Sequence, residues 1–153
     1  MSWTFQAGDL DSDDVKALLA LHVQSMNAAS PPEFCHVLPG DGLRDPAITF
    51  WSLRENGKLL GIGALKEIES DHGEVKSMRT APDAIGRGVG TAMLANIVEE
   101  ARKRHYRRLS LETGSTPEFA AANRLYERDG FTVGPRFGDY PESAFTRFYT
   151  MEL

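Results

Sequence analysis

Along the chain the hydrophobic pattern changes period several times. Trp3 to Gln6 is a short strand-like stretch. After it, Val15, Leu18, Leu19 and Met26 recur at helical spacing behind Ser12, Asp13 and Asp14, which place acidic residues at the positive end of a helix. From Ser30 to Pro46 the chain holds Pro31, Pro32, Pro39, Gly40, Gly42 and Pro46, which predicts a loop with one helical turn near Glu33. Ile48 to Leu53 is rich in β-branched and aromatic residues, Asn56-Gly57 is a hairpin signal, and Leu59 to Ile68 answers as the returning strand. A second turn at Asp71-His72-Gly73 leads into Glu74 to Thr80, completing a three-strand antiparallel meander.

Beyond Pro82 a glycine-rich turn opens an amphipathic helix, with Val89, Met93, Leu94, Ile97, Val98 and Ala101 on one stripe. Leu109 to Thr113 follows as a strand. The order strand, helix, strand predicts two parallel neighbours joined by a right-handed crossover. Ser115 and Glu118 have capping-box spacing around Pro117, Phe119, Ala122, Leu125 and Tyr126 carry the next helix, and Gly130 stops it. Phe131 to Phe137 and Ala144 to Met151 finish as strands. The sum is one mixed α/β (α+β) domain over residues 1–153. Its sheet is mostly antiparallel, of about seven strands with one central parallel pair, and has helices on both faces.

Composition narrows the partners. The 153 residues are 41% apolar and 25% charged, ordinary globular usage that excludes wholesale disorder. Seventeen basic against 22 acidic residues give a net charge of −5, so neither nucleic acid nor an anionic lipid surface is the expected partner. The most apolar short run, Leu59 to Leu65, falls far below the ~20 residues needed to span a bilayer. No basic and apolar leader opens the chain, and a lone Cys35 gives no sign of an oxidising compartment, so the cytoplasm is expected.

Gly86-Arg87-Gly88-Val89-Gly90-Thr91 is the most informative segment. Glycines let backbone N–H groups approach an anion unobstructed, and the start of the following helix adds a positive dipole end, which suits a diphosphate. A tight packing turn is the plainer reading. No Gly-Lys-Ser/Thr triplet follows, which argues against a P-loop. A dinucleotide fold has the right βαβ order and an acid, Glu112, ending the second strand, but Gly-x-Gly-x-Gly is not its spacing.

Taken together, Glu74-Val75-Lys76-Ser77-Met78-Arg79-Thr80-Ala81-Pro82, the turn Gly86 to Thr91, the strand Leu109 to Thr113 and the run from Asn123 to Phe131 resemble the GCN5-related N-acetyltransferase (GNAT) superfamily. Ile85 stands where that family usually has Arg or Gln, which removes one side-chain contact and leaves the backbone cradle. The resemblance implies that acetyl-CoA is the co-substrate, its diphosphate on the amides of Arg87, Gly88, Val89, Gly90 and Thr91. Its pantetheine arm would pair with the backbone at Met78 and Thr80, and the strands ending near Thr80 and Thr113 would splay to admit it. The resemblance also implies acetyl transfer to a primary amine by direct attack in a ternary complex.

An alkylammonium near pKa ~10.4 must lose a proton before it attacks a thioester, so a base is needed. The resemblance points to Glu74; Glu112 is the second carboxylate to test and a relaying water a further route, while an exposed strand-end carboxylate is the alternative for Glu74. Tyr126 matches the family's general acid and, with Asn123 three residues earlier, a cofactor contact; a core aromatic is the alternative for Tyr126. The acceptor would be a small-molecule or peptide amine, held between the loop Ser30 to Pro46 and the tail Phe137 to Glu142. Asp41, Asp45, Asp139 and Glu142 there would favour a cation.

The remaining candidates are weaker. Arg102, Lys103, Arg104, Arg107 and Arg108 read as a solvated helix end, with a CoA 3′-phosphate contact as the lesser reading. His22, His36, His72 and His105 lack metal-ligand spacing, so no metal is expected, and Cys35 reads as inert. Strand edges in the C-terminal hairpin leave a homodimer open. A CoA-sensing module without turnover, or a nicotinamide-dinucleotide-binding protein, is the rival reading.

Overall fold

The stretches that alternate in the sequence pair edge to edge, because each hairpin turn leaves one apolar face for the helices to cover. The computed structural model describes residues 2–32 and 40–153. The helical turn expected near Glu33, together with Cys35 and His36, lies outside the described residues. The elements are β1 Trp3–Ala7, α1 Asp13–Ala29, β2 Ile48–Glu55, β3 Lys58–Glu69, β4 His72–Thr80, α2 Val89–Lys103, β5 Arg108–Gly114, α3 Ala120–Arg128, β6 Thr132–Val133 and β7 Thr146–Glu152. Seven strands form one sheet in the order β1-β2-β3-β4-β5-β7-β6. Among the described residues only the β4–β5 pair is parallel, and α2 makes the crossover between its strands.

Register assigns the faces. Gly61 and Gly63 of β3 turn toward α2, where a Cβ at Gly63 would lie 2.6 Å from Met93 Cγ; their bareness lets the helix seat directly on the strand. Tyr126 of α3 packs on the same side of the sheet, against Tyr149 of β7. The opposite face, carrying Ser52, Arg54 and Ile62, meets α1. There the buried Asp9 carboxylate accepts from Ser52 at 2.6 Å, from Arg54 at 3.0 and 3.1 Å, and from Ser12. Leu53, Leu60, Leu65, Ile97 and Leu109 are among the fully buried side chains between these layers. No helix among the described residues is long and apolar enough to cross a membrane.

Three local expectations are corrected. The turn before β4 lies at Ser70-Asp71, so His72 and Gly73 already belong to the strand. The strand expected from Phe131 to Phe137 shrinks to Thr132–Val133. Pro135 has no N–H to give the ladder, and Gly134 makes one last bond to Phe148 before the chain leaves the sheet. The Ser115–Glu118 capping box does not form: Thr116, not Ser115, is the residue before a 3-10 turn and its side chain makes no cap hydrogen bond, Ser115 donates to the Ala144 and Phe145 carbonyls, and α3 begins at Ala120 after that turn.

Candidate active site

The sheet opens where its single parallel pair ends. β4 and β5 pair only from His72 opposite Arg108 to Glu74 opposite Ser110, although both strands run on to Thr80 and Gly114. Each strand therefore presents a row of backbone groups to the gap, as the resemblance implied. β4 also carries a bulge. Ile62 faces Arg79 and Ala64 faces Lys76, so two steps along β3 answer three along β4, with Ser77 in the left-handed region at φ 56°. Around the gap lies a cavity of about 780 Å³, within the range of small-ligand clefts. Its walls come from α1, β4, β5, α3 and the start of α2.

At the α2 end of the cavity, Gly86 and Gly88 hold φ of 87° and 84°, a backbone that glycine adopts without strain. Gly88 is the residue before the helix, and no side chain caps it. The N–H groups of the first turn, which have no partner inside a helix, thus stay unclaimed by a cap at a positive dipole end. Arg87 turns its side chain away, to Glu55 at 2.9 Å and across the Trp3 ring. Ile85, 72% exposed, stands at the lip, and Val89 and Gly90 line the cavity wall. These residues suit a diphosphate.

Glu74 is buried, contrary to the alternative of an exposed strand end. Its Oε2 accepts from Tyr140 Oη at 2.6 Å and from Lys76 Nζ at 3.2 Å. Lys76 also donates to Tyr140 Oη at 2.6 Å. Burial, then the Glu74 charge, raises the Tyr140 phenol well above its usual range, so Tyr140 stays a donor. Tyr126 lines the cavity with its ring near Phe131 and Tyr149. Burial pushes its phenol up to about 12.

Across the cavity Arg79 Nε donates to Nδ1 of the buried His22 at 3.0 Å. Burial, then the Arg79 charge, lowers the His22 imidazole from 6.5 to about 4, so the ring is neutral. The unfolded chain accordingly takes up a proton near 6.5 that the folded chain refuses until about 4. Stability is complete above that window and is lost as pH falls through it. Urea unfolding at pH 7 and pH 5 should differ by about 2 kcal/mol from this group, a share that His22→Gln removes.

The structure thus gathers Glu74, Met78, Thr80, Val89, Gly90 and Tyr126 around one cavity, with Gly88 directly before the helix that Val89 opens. Arg87 and Thr91 lie on the same turn, and Thr91 Oγ1 accepts from Arg128. Asn123 is placed differently. It is buried and ties α3 to β5, accepting from Thr113 at 3.1 Å and donating to the Gly114 carbonyl at 2.9 Å. The basic cluster sits at the far end of α2, ~22 Å of helix from the glycine turn. There Arg104 holds Glu100 and Thr49, which fits a helix end and not a contact to a CoA held at the other end. Sequence reasoning missed Arg79, Lys76 and Tyr140. For Arg79 and Lys76 the concealed signal was the bulge that brings them to one face.

Residues 15–131 match the acetyltransferase (GNAT) family. The chain is 48% identical over 145 residues to the uncharacterized N-acetyltransferase YsnE of Bacillus subtilis, covering 95% of this chain and 96% of that one. It is 44% identical over 151 residues to the uncharacterized N-acetyltransferase YedL of Escherichia coli, covering 99% and 95%. The PaiA N-acetyltransferase of Thermoplasma acidophilum, solved in complex with coenzyme A, superposes with a TM-score of 0.74 over 100% of both chains at 14% identity, a likeness of fold.

Proposed function

This chain belongs to the acetyltransferase (GNAT) family, and from that premise we propose that it moves the acetyl group of acetyl-CoA onto a primary amine of a small molecule or peptide by direct attack in a ternary complex. The observation that carries the reading is the uncapped, glycine-framed start of α2 opening onto the same cavity as the β4–β5 gap. The first-turn amides from Arg87 to Thr91 would hold the diphosphate. The unpaired backbone of β4 at Met78 and Thr80 would take the pantetheine arm as an added strand does. Acetyl-CoA supplies the activated thioester.

In this proposal Glu74 takes the proton from the incoming ammonium, with Tyr140 and Lys76 fixing its Oε2 so that Oε1 faces the acceptor. Tyr126, held protonated, donates to the sulfur as the C–S bond breaks. Asn123 acts through structure, by fixing the start of α3 and thereby the position of Tyr126.

Calorimetric titration with CoA and, separately, with NAD tests the cradle, and thiol release from acetyl-CoA in the presence of an amine library tests turnover. Saturable CoA binding with weaker or absent NAD binding, together with amine-dependent thiol release, is the expected outcome. CoA binding without release for any amine would favour a CoA-sensing module. A preference for NAD would replace the reading. We also propose a homodimer, which sedimentation velocity decides; β6, the sheet edge at that end, is only two residues long.

A further inference from the structure

Arg79 is a cation of the cavity wall that no carboxylate meets among the described residues. Lys76, its neighbour on the same face, is matched by Glu74 at 3.2 Å. The one hydrogen bond that Arg79 makes among the described residues goes to the neutral His22 ring, which offers a lone pair and no charge. Its Nη1 and Nη2 have no partner among the described residues, yet the side chain is half-buried and burial pulls its guanidinium below the usual range. A partly desolvated cation without a counter-charge is costly, and an anion arriving in the cavity relieves that cost.

Its place in the sheet says which ligand supplies the anion. Arg79 lies opposite Ile62 on the α1 face, whereas α2 and its glycine turn rest on the other face, against Gly61 and Gly63. The anion at Arg79 is therefore distinct from the diphosphate at α2 and belongs to the acceptor, on the face that Glu74 and Lys76 share. A guanidinium whose Nε is already engaged keeps its two terminal nitrogens for the two oxygens of a planar carboxylate.

We propose that the acceptor is an amine that also carries a carboxylate, the carboxylate being held by Arg79 and the guanidinium being steadied by His22. This rests on the acetyltransferase reading. The acceptor nitrogen forms a bond to the acetyl carbonyl carbon, the C–S bond breaks with its electron pair going to sulfur, and one proton passes overall from nitrogen to the thiolate. The products are an N-acetyl acid and CoA thiol, and the carboxylate itself is unchanged.

The test uses matched pairs, each an L-amino acid and its α-amide, spanning aliphatic, aromatic and acidic side chains, with thiol release from acetyl-CoA as the readout. The acid should exceed its amide in kcat/KM by roughly 10- to 50-fold, since charge-assisted hydrogen bonds to a carboxylate contribute on that scale. In Arg79→Gln the ratio should fall to about one, and Arg79→Lys, which keeps the charge without the fork, should restore part of it. Equal rates for acid and amide, or a preference that survives Arg79→Gln, would overturn the proposal and leave the acetyltransferase reading intact. Where no pair turns over, thermal shifts of the CoA-saturated protein with each member decide. A shift confined to the acid and lost in Arg79→Gln supports the proposal, and no such difference overturns it. Absence of both thiol release and CoA binding would remove the acetyltransferase reading itself, and the acceptor proposal with it.

Discussion

Replacing Tyr126 by phenylalanine is expected to lower kcat about 100- to 1,000-fold while CoA affinity and melting temperature stay close to wild type, the scale seen when one donor to a developing charge is lost. The ring stays in place between Phe131 and Tyr149, with centroids 6.2 and 5.9 Å away, so the packing that a core aromatic would supply is retained in the variant. What is lost is a hydroxyl that makes no hydrogen bond to the described residues and lines the cavity. Because burial lifts that phenol to about 12, it is protonated throughout the neutral range. A thiol ionises near ~8.5, so the phenol acts on the departing sulfur as a strong hydrogen-bond donor, and it does not serve as a base. Single-turnover thiol release and a CoA titration on the same variant separate the two roles. An unchanged kcat would return Tyr126 to the hydrophobic core.

Gly88→Asp should raise the Kd for CoA about 100-fold, at a stability cost of about 1 kcal/mol from the strain of an L side chain at a φ of 84°. Aspartate is among the L residues most often found at positive φ, and a carboxylate before the first turn of α2 favours the helix dipole, which offsets part of that strain and keeps the helix. The same carboxylate would face the diphosphate at short range, a repulsion of about 3 kcal/mol at the dielectric of a protein surface. Calorimetric CoA titration against a urea melt of the same preparation distinguishes a spoiled cradle from a spoiled fold. Wild-type CoA affinity in this variant would mean that the diphosphate lies elsewhere.

Much of the fold was legible because it follows from local chemistry. Asn56 and Gly57 adopt φ of 50° and 83°, the backbone that a two-residue hairpin requires, and they join β2 to β3 as expected. The α2 stripe from Val89 to Ala101 is buried throughout, and the βαβ order produces the one parallel pair. The glycine turn was readable for the same reason: a positive φ restricts residue type so strongly that the residues disclose the conformation. Phe131 to Phe137 misled because its apolar content suits a strand, while the ladder depends on donors that Pro135 lacks.

The order of elements, the glycine-framed helix start and the family are all written in neighbouring residues. The chemistry of the acceptor side arises from strand pairing and long-range contact. In a regular strand Lys76 and Arg79, three residues apart, point to opposite faces; the bulge at Ser77 adds a residue and turns both toward α1. Likewise Tyr140, 66 residues beyond Glu74, reaches its carboxylate only because the chain leaves the sheet after β6 and folds back over β4. Side-chain direction across a bulge and contact between distant segments arise from strand pairing and loop closure, which no local pattern of residues encodes.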